Sequence, residues 1–124
     1  MIHLDTSFLI RALQPGSTQE RRLLTWLTKA EPVGLCAFAW AEFLCGPLPL
    51  EAASAAFRVL GEPVPVDRQT AERAAGLFNK CGRRRGSLGD CLIAAAAIEA
   101  EARLATENAR DFERFVTMGL ILAE

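Results

Sequence analysis

The feature that most constrains the fold is an alternation of short apolar segments with longer segments of helical character. The apolar segments occupy residues 2–4, 33–37, 64–66, 103–106 and 120–122. Between them, residue spacing and capping signals predict helices over residues 7–13, 18–30, 40–45, 50–60, 68–80, 90–102 and 109–115. Alternating strands and helices favour a parallel sheet that is covered on both faces. The sequence therefore predicts an α/β fold, a three-layer sandwich with a short parallel sheet of four or five strands.

Size and composition restrict the class of protein further. The chain has 124 residues, of which 51% are hydrophobic and 23% are charged. These values are typical of a globular protein rather than a disordered one, and we expect residues 1–124 to form a single domain. The formal net charge of −1 excludes a histone-like polycation, so a surface that binds nucleic acid has to be local.

The sequence offers no signal for membrane insertion or secretion. Charge-free apolar runs such as residues 32–41 and 91–98 are each followed by a glutamate, whereas a membrane-spanning helix needs about 18 or more apolar residues. Residues 1–5 contain no basic segment followed by an apolar one. We therefore expect the protein to be cytoplasmic.

A zinc site of ordinary spacing is not expected. Four cysteines occupy positions 36, 45, 81 and 91, no two of them have the Cys-x-x-Cys spacing, and the chain has one histidine. Zinc sites need several sulfur and imidazole ligands at short, regular spacings.

Acidic residues follow the predicted strands. Asp5 ends the first strand, Glu42 lies just beyond the second, and Asp90 begins the apolar helix of residues 90–102. Asn108 and Asp111 follow the strand of residues 103–106. Because ligands of open α/β folds bind beyond the carboxyl ends of the strands, these side chains are expected at one edge of the sheet. A simpler alternative is that the three aspartates are helix N-caps or first-turn acids.

Glu42 is the acid that this alternative explains least well. It is the only charged residue between Pro32 and Leu50, and a carboxylate in apolar surroundings is costly unless it is paired or bound to a cation. No lysine or arginine lies within three residues of Asp5, Glu42 or Asp90. A pocket of carboxylate oxygens suits Mg²⁺ or Mn²⁺. The residues therefore indicate metal-assisted hydrolysis of a phosphodiester.

Four segments containing these acids give the chain a family resemblance. They read Leu-Asp-Thr-Ser at 4–7, Trp-Ala-Glu-Phe at 40–43, Gly-Asp-Cys-Leu-Ile-Ala-Ala at 89–95 and Thr-Glu-Asn-Ala-Arg-Asp-Phe at 106–112. In this order and spacing the chain resembles the PIN-domain ribonucleases, specifically the VapC-type toxins of type II toxin–antitoxin pairs. The resemblance implies a PIN-like fold, Mg²⁺- or Mn²⁺-dependent endoribonuclease activity, a homodimer, and inhibition by a small antitoxin protein.

The resemblance also implies roles for individual residues. Asp5, Glu42 and Asp90 match the catalytic acids that bind the metal, and Asp111 matches the fourth acid. Some relatives have an acid where this chain has Asn108, so either Asn108 or Asp111 could complete the site. The polar residues expected to support the acids or a water molecule are Thr6, Ser7, Thr106 and Asn108.

The charge distribution offers one candidate surface for RNA. Twelve of the fourteen basic residues are arginine, and the guanidinium group suits bidentate phosphate contacts. Arg83, Arg84 and Arg85 directly precede the helix that begins at Asp90, which predicts an RNA-binding loop. The alternative is a solvated basic turn. The resemblance further implies that helices 18–30 and 50–60 offer an apolar groove to an antitoxin helix.

Two other enzyme classes and a binding module are alternatives to the nuclease. A receiver domain needs a lysine on a late strand. The only lysines, Lys29 and Lys80, both fall in predicted helices, so neither is suitably placed. Haloacid-dehalogenase-like phosphatases need Asp-x-Asp after the first strand, whereas Ser7 follows Asp5 at that spacing. The stronger alternative is a catalytically inert PIN-like module that binds RNA or protein.

Overall fold

The centre of the molecule is a parallel sheet of four short strands. The computed structural model describes residues 1–124. Its strands are β1 (Ile2–Leu4), β2 (Val33–Gly34), β3 (Arg103–Ala105) and β4 (Ile121–Leu122). All neighbours pair in parallel in the order β2-β1-β3-β4, with His3 opposite Gly34 on one side and Leu104 on the other. The predicted α/β fold with a short parallel sheet is confirmed.

Seven helices connect and cover the strands. They are α1 (Thr6–Ala12), α2 (Thr18–Thr28), α3 (Ala37–Leu44), α4 (Leu50–Leu60), α5 (Arg68–Lys80), α6 (Leu88–Glu99) and α7 (Ala109–Phe112), followed by a 3₁₀ helix (Glu113–Met118). The side chains of Asp5, Ser17 and Asp67 each accept a hydrogen bond from the backbone N–H three residues later. These caps satisfy donors that a helix leaves free in its first turn, and so fix where α1, α2 and α5 begin.

The strand predicted over residues 64–66 is wrong. Only Val64 pairs, in an isolated parallel bridge with Cys36. The Val64 N–H donates to the Leu35 carbonyl at 2.9 Å, and the Val64 carbonyl accepts from the Ala37 N–H at 2.8 Å. Prolines at positions 63 and 65 flank it. Because proline has no N–H to donate, it is found at the edges of sheets, which agrees with a single bridging residue at this edge.

Helix α6 forms the centre of the core. Six of its residues, Cys91 and residues 93–97, are buried, and a helix that is apolar around most of its circumference belongs in an interior. The predicted helix spans residues 90–102, whereas α6 begins two residues earlier, at Leu88, and ends at Glu99. It ends early because Glu101 takes a positive φ of 54°, which does not continue a right-handed helix.

The ends of two other helices also differ from the prediction. The helix expected over residues 109–115 is α-helical only to Phe112 and continues as the 3₁₀ helix. Phe112 and Phe115 are both buried, with ring centroids 6.1 Å apart, so packing of these rings holds the tighter turn in place. Helix α3 begins three residues before the predicted position, at Ala37. None of the helices has the length and apolar character needed to cross a bilayer.

Candidate active site

The acidic residues predicted from the sequence meet in a cleft at the carboxyl end of the sheet. The cleft has a volume of about 250 Å³. Asp5 follows β1, Glu42 lies in α3, Asp90 lies in the first turn of α6, and Asn108 follows β3. The residues that line it are Asp5, Thr6, Ser7, Ile10, Glu42, Asp90, Ile93 and Asn108. Three segments distant in sequence thus bring carboxylates together, as the topology of parallel strands requires.

Asp5 is the most enclosed of these acids. It is 4% exposed. Its Oδ1 accepts hydrogen bonds from the Ser7 hydroxyl and the Phe8 N–H, each at 2.8 Å, and its Oδ2 accepts one from the Thr106 hydroxyl. Burial raises the pKa of Asp5, and the charge of Glu42 adds to the rise, although the three hydrogen bonds act in the opposite direction. A carboxylate offers about four lone-pair directions, so one remains for a cation.

Glu42 is held at the mouth of the cleft. The Thr6 hydroxyl donates to its Oε1 at 2.7 Å. Glu42 is exposed, whereas the next residue, Phe43, is completely buried. The apolar neighbours of Glu42 in the sequence do not bury it, because consecutive helical residues point in different directions and only Phe43 faces the core. Glu42 belongs to the cleft because of its position and its contact with Thr6, not because of burial.

Asp90 is half-buried and surrounded by charge. Burial is the largest cause of a raised pKa of Asp90, and the negative charges of Asp111, Glu42 and Asp5 raise it further. The positive charge of Arg114 acts in the opposite direction. No protein group donates a hydrogen bond to the Asp90 carboxylate, which distinguishes it from Asp5 and Glu42.

Arg114 is a neighbour of the site that sequence reasoning missed. It lies in the 3₁₀ helix, with its guanidinium carbon 4.5 Å from the centroid of the Phe115 ring. Its Nε and Nη2 are buried and have no hydrogen-bond partner. Arg114 is distant in sequence from Asp5, Glu42 and Asp90. Arg114 follows Asp111 by three residues, and this spacing on one helical turn is the signal that could have found it.

The closing segment after β3 is tied to the segment after β1. The Glu107 N–H donates to the Ser7 hydroxyl oxygen at 3.1 Å, and the Asn108 N–H donates to the Thr106 hydroxyl oxygen at 2.9 Å. Asn108 lines the cleft, whereas Asp111 is exposed in α7 and is not part of the lining. Asp111 influences the site electrostatically, because its negative charge raises the pKa of Asp90.

The chemistry of this donor set fits a hard divalent cation. Carboxylate and amide oxygens are the ligands that Mg²⁺ and Mn²⁺ prefer. Burial, with mutual repulsion added to it, raises the pKa of Asp5 and Asp90, and a bound cation would favour their charged forms. No three His, Cys, Asp or Glu side chains lie close enough together to share one ion in this structure. An ion bound here would draw the carboxylates of the cleft closer together.

The three loop arginines lie outside the acidic cleft. Arg83, Arg84 and Arg85 are exposed in the loop between α5 and α6. None of them lines the acidic cleft. They nevertheless stand immediately before the helical turn that presents Asp90.

An apolar hollow on the surface differs from the groove expected between helices 18–30 and 50–60. It has a volume of about 410 Å³ and lies between α3 and α4, where Trp40, Ala53, Ser54, Phe57 and Arg58 line it. Helix α2 lines none of the cavities. The partner of α4 is α3 because the Trp40 and Phe57 rings pack with centroids 6.3 Å apart.

Comparison with known proteins places these features in a family. The model of the PIN domain matches residues 2–116. The chain belongs to the PIN-domain family. The match includes Asp5, Glu42, Asp90 and Asp111, so the whole cleft lies within the PIN domain. No curated protein matches the sequence significantly.

Solved structures share the PIN fold over nearly the full chain. FitAcB from Neisseria gonorrhoeae is 24% identical, with a TM-score of 0.69 over 100% of this chain and 97% of that chain. VapBC2 from Rickettsia felis, bound to a DNA fragment from its promoter, is 22% identical, with a TM-score of 0.74 over 99% of this chain and 98% of that chain. A toxin–antitoxin complex from Klebsiella pneumoniae is 21% identical, with a TM-score of 0.68 over 91% of each chain. At these identities the likeness establishes the fold, and function has to be argued from the site.

Proposed function

We propose that this PIN-domain protein, as one domain over residues 1–124, is an endoribonuclease that hydrolyses RNA phosphodiesters with Mg²⁺ or Mn²⁺. The observation that carries the proposal is the meeting of Asp5, Glu42 and Asp90 in one cleft at the carboxyl end of the sheet. Like charges in a partly dry site are costly without a cation. Membership of the PIN-domain family supports the same reaction class.

In this proposal Asp5, Glu42 and Asp90 are the metal ligands, with Asp111 as the fourth acid. When bound by these residues, a divalent cation would lower the pKa of a bound water and neutralise charge on a phosphoryl oxygen. The chain's own residues supply orientation. Ser7 and Thr106 fix the Asp5 carboxylate, and Thr6 fixes that of Glu42.

Asp90 has the freest carboxylate of the three. Because no protein group donates a hydrogen bond to it, its oxygens are free to bind a cation or to accept the proton of an attacking water. Asn108 lines the same cleft, and its amide can hold either a water molecule or a phosphate oxygen. These two residues therefore act directly on the reacting groups.

We also infer that the protein is the toxin of a type II toxin–antitoxin pair. Structures that share its fold include toxin–antitoxin complexes. The hollow between α3 and α4 suits the apolar face of an antitoxin helix, because Phe57 is 42% exposed and Leu50 is 87% exposed beside it. Arg58 at its edge favours an acidic residue on that helix. We expect a homodimer in the cytoplasm, where the RNA substrate is found.

Metal-dependent cleavage tests the nuclease. Purified protein is incubated with single-stranded RNA and with separate transfer, ribosomal and messenger RNA fractions, in Mn²⁺ or Mg²⁺ and then in EDTA. Asp5→Asn and Asp90→Asn are run in parallel with Glu62→Gln, an exposed acid outside the cleft. We expect cleavage that needs the metal, is lost in both aspartate variants and is kept in Glu62→Gln.

Two results would contradict the nuclease assignment. Equal cleavage by all four proteins would indicate a contaminating ribonuclease. Absence of cleavage with every RNA fraction would favour the alternative, a catalytically inert PIN-like module that binds RNA or protein.

Loss of partner binding in Phe57→Asp, with RNA cleavage unchanged, would support the antitoxin hollow separately from the active site.

A further inference from the structure

A second hollow lies beside the loop arginines, at the start of the helix that carries Asp90. It has a volume of about 470 Å³, within the roughly 300–1,000 Å³ range of small-ligand sites. Its lining includes Phe78, Asn79, Arg83, Arg85 and Leu88. No acidic residue lines it, so the hollow favours a ligand with negative charge.

Flat groups form one side of this hollow. The Phe78 ring is half-buried against the core, and the Arg83 guanidinium carbon lies 5.6 Å from its centroid. Arg83 also donates a hydrogen bond to the Asn79 side-chain oxygen. Nucleobases stack on aromatic rings and on guanidinium planes. The pair therefore offers a stacking surface that the protein already holds in position.

Polar groups next to the stacking surface are placed to contact the edge and the phosphate of a nucleotide. The Asn79 side-chain amide can both donate and accept hydrogen bonds at a base edge. Arg85 forms no ion pair within the protein and lines the hollow, so its guanidinium is available to a phosphate. Leu88 is 52% exposed and supplies apolar contact.

The hollow and the acidic cleft are connected through one turn of α6. Leu88 lines the hollow, Asp90 lines the cleft, and both belong to the first turn of α6. An RNA strand lying across that turn can therefore occupy both. Arg84 belongs to the same loop but lines neither of them.

We propose that this hollow binds one nucleobase of the RNA strand, close to the nucleotides held at the acidic cleft. The Arg83 guanidinium, supported by the Phe78 ring, stacks on the base, Asn79 hydrogen-bonds its edge, and Arg85 binds the phosphate attached to it. This inference rests on the proposed function and adds a base-binding subsite to it. The loop therefore contributes recognition of a base in addition to general attraction for phosphate.

Binding without turnover tests the subsite. The wild-type protein is titrated in EDTA with a fluorescently labelled single-stranded RNA and with a chain of the same length made of abasic ribose phosphates. Both probes carry the same charge, so phosphate contacts alone bind them equally. Stacking of one base predicts about tenfold tighter binding of the RNA that carries bases.

Three variants separate the subsite from the charge of the loop. Asn79→Ala, an exposed position, is expected to reduce the preference for bases several-fold. Arg85→Ala and Arg84→Ala each remove one positive charge from the same loop. We expect Arg85→Ala to weaken binding of both probes more than Arg84→Ala does, and Arg84→Ala to keep the preference for bases unchanged.

The outcomes distinguish failure of the subsite from failure of the nuclease. Equal binding of the two probes by the wild-type protein, or equal effects of Asn79→Ala and Arg84→Ala on base preference, would overturn the subsite. Either result is compatible with full metal-dependent cleavage. A base preference that Asn79→Ala reduces, in a protein that cleaves no RNA, would support the subsite and overturn the nuclease.

Discussion

Thr106, just beyond β3, donates its hydroxyl hydrogen bond to Asp5, just beyond β1, across 101 positions of the sequence. The bond joins the two central strands at the point where the cleft opens. Because Ser7 and Phe8 hold the other oxygen of Asp5, the carboxylate is fixed on both sides. Thr106 therefore positions an acid without lining the cleft itself.

Replacement of Thr106 by valine should weaken catalysis without removing an acid. Thr106→Val keeps the side-chain shape but loses the hydrogen bond, and outer ligand-positioning groups typically contribute about 10–100-fold. The bond lowers the pKa of Asp5, so its loss raises that pKa and moves the acid limb of the pH–rate profile to higher pH. Initial cleavage rates as a function of Mn²⁺ concentration and pH measure both effects.

Thr106→Ser is the matched control for this prediction because it keeps the hydroxyl group. We expect its metal requirement and pH profile to be close to those of the wild-type protein. If Thr106→Val and Thr106→Ser had the same rate and the same acid limb, the hydroxyl would have no role in positioning Asp5.

Asp111 and Asn108 should differ in their importance. Asp111 is exposed and acts on Asp90 through charge, so Asp111→Asn is expected to reduce cleavage by only about tenfold. Because the charge of Asp111 raises the pKa of Asp90, its removal should move the acid limb to lower pH. Asn108→Ala, within the cleft, should lower the cleavage rate more. Loss of activity in Asp111→Asn as complete as in Asp90→Asn would make Asp111 a direct ligand.

Much of this architecture could be predicted because its signals are local. The bounds of β1, α4 and α5 agree with the prediction, since a capping aspartate, a glycine after the last turn or a polar residue after an apolar run marks each end. That the acids meet in one cleft could be predicted because binding sites of open α/β folds lie beyond the carboxyl ends of the parallel strands. That rule needs only the order of elements along the chain.

The features that could not be predicted from the sequence depend on contacts between segments distant in sequence. The strand order depends on which crossover packs against which face, and no local residue records it. Arg114 and Asp90 come together only because the 3₁₀ helix packs near the start of α6. The base-binding hollow depends in the same way on the contact of Arg83 with Phe78.

Burial of His3 should make stability depend on pH. His3 is 1% exposed, and its Nε2 has no hydrogen-bond partner. Burial, with a smaller contribution from the N-terminal ammonium group, lowers the pKa of His3 from 6.5 to about 4. Between these two pH values the unfolded chain binds a proton that the folded chain does not. The free energy of unfolding should therefore fall by up to about 3 kcal/mol as the pH drops through this range.

Urea denaturation at several pH values, with His3→Leu as the comparison, measures this effect. The raised pKa of Asp5 and of Asp90 acts in the opposite direction, but both acids remain in the variant. The difference in unfolding free energy between the two proteins should be constant above pH 7 and should change below it, with the wild-type protein losing more. A constant difference down to pH 4 would contradict a neutral, buried His3.

Gly89 should be a position where packing outweighs helix propensity. It lies in the first turn of α6, beside Asp90, and a Cβ built there would lie 2.6 Å from Cε2 of Phe38. Helix propensity alone predicts that alanine stabilises. The clash with a half-buried ring predicts instead a loss of about 1–3 kcal/mol for Gly89→Ala, together with slower cleavage because Asp90 is displaced.

Gly76 provides the matched control in the neighbouring helix. It lies inside α5, and a Cβ there would meet nothing within 4 Å, so Gly76→Ala should stabilise by about 1 kcal/mol. Phe38→Leu lacks the ring atoms that clash with the added Cβ. The pair Phe38→Leu and Gly89→Ala should therefore be less destabilising together than the sum of the two single changes. Thermal unfolding of the four variants shows whether helix propensity or the clash with Phe38 dominates. If Gly89→Ala stabilised the protein as much as Gly76→Ala does, the Phe38 ring would move aside without cost.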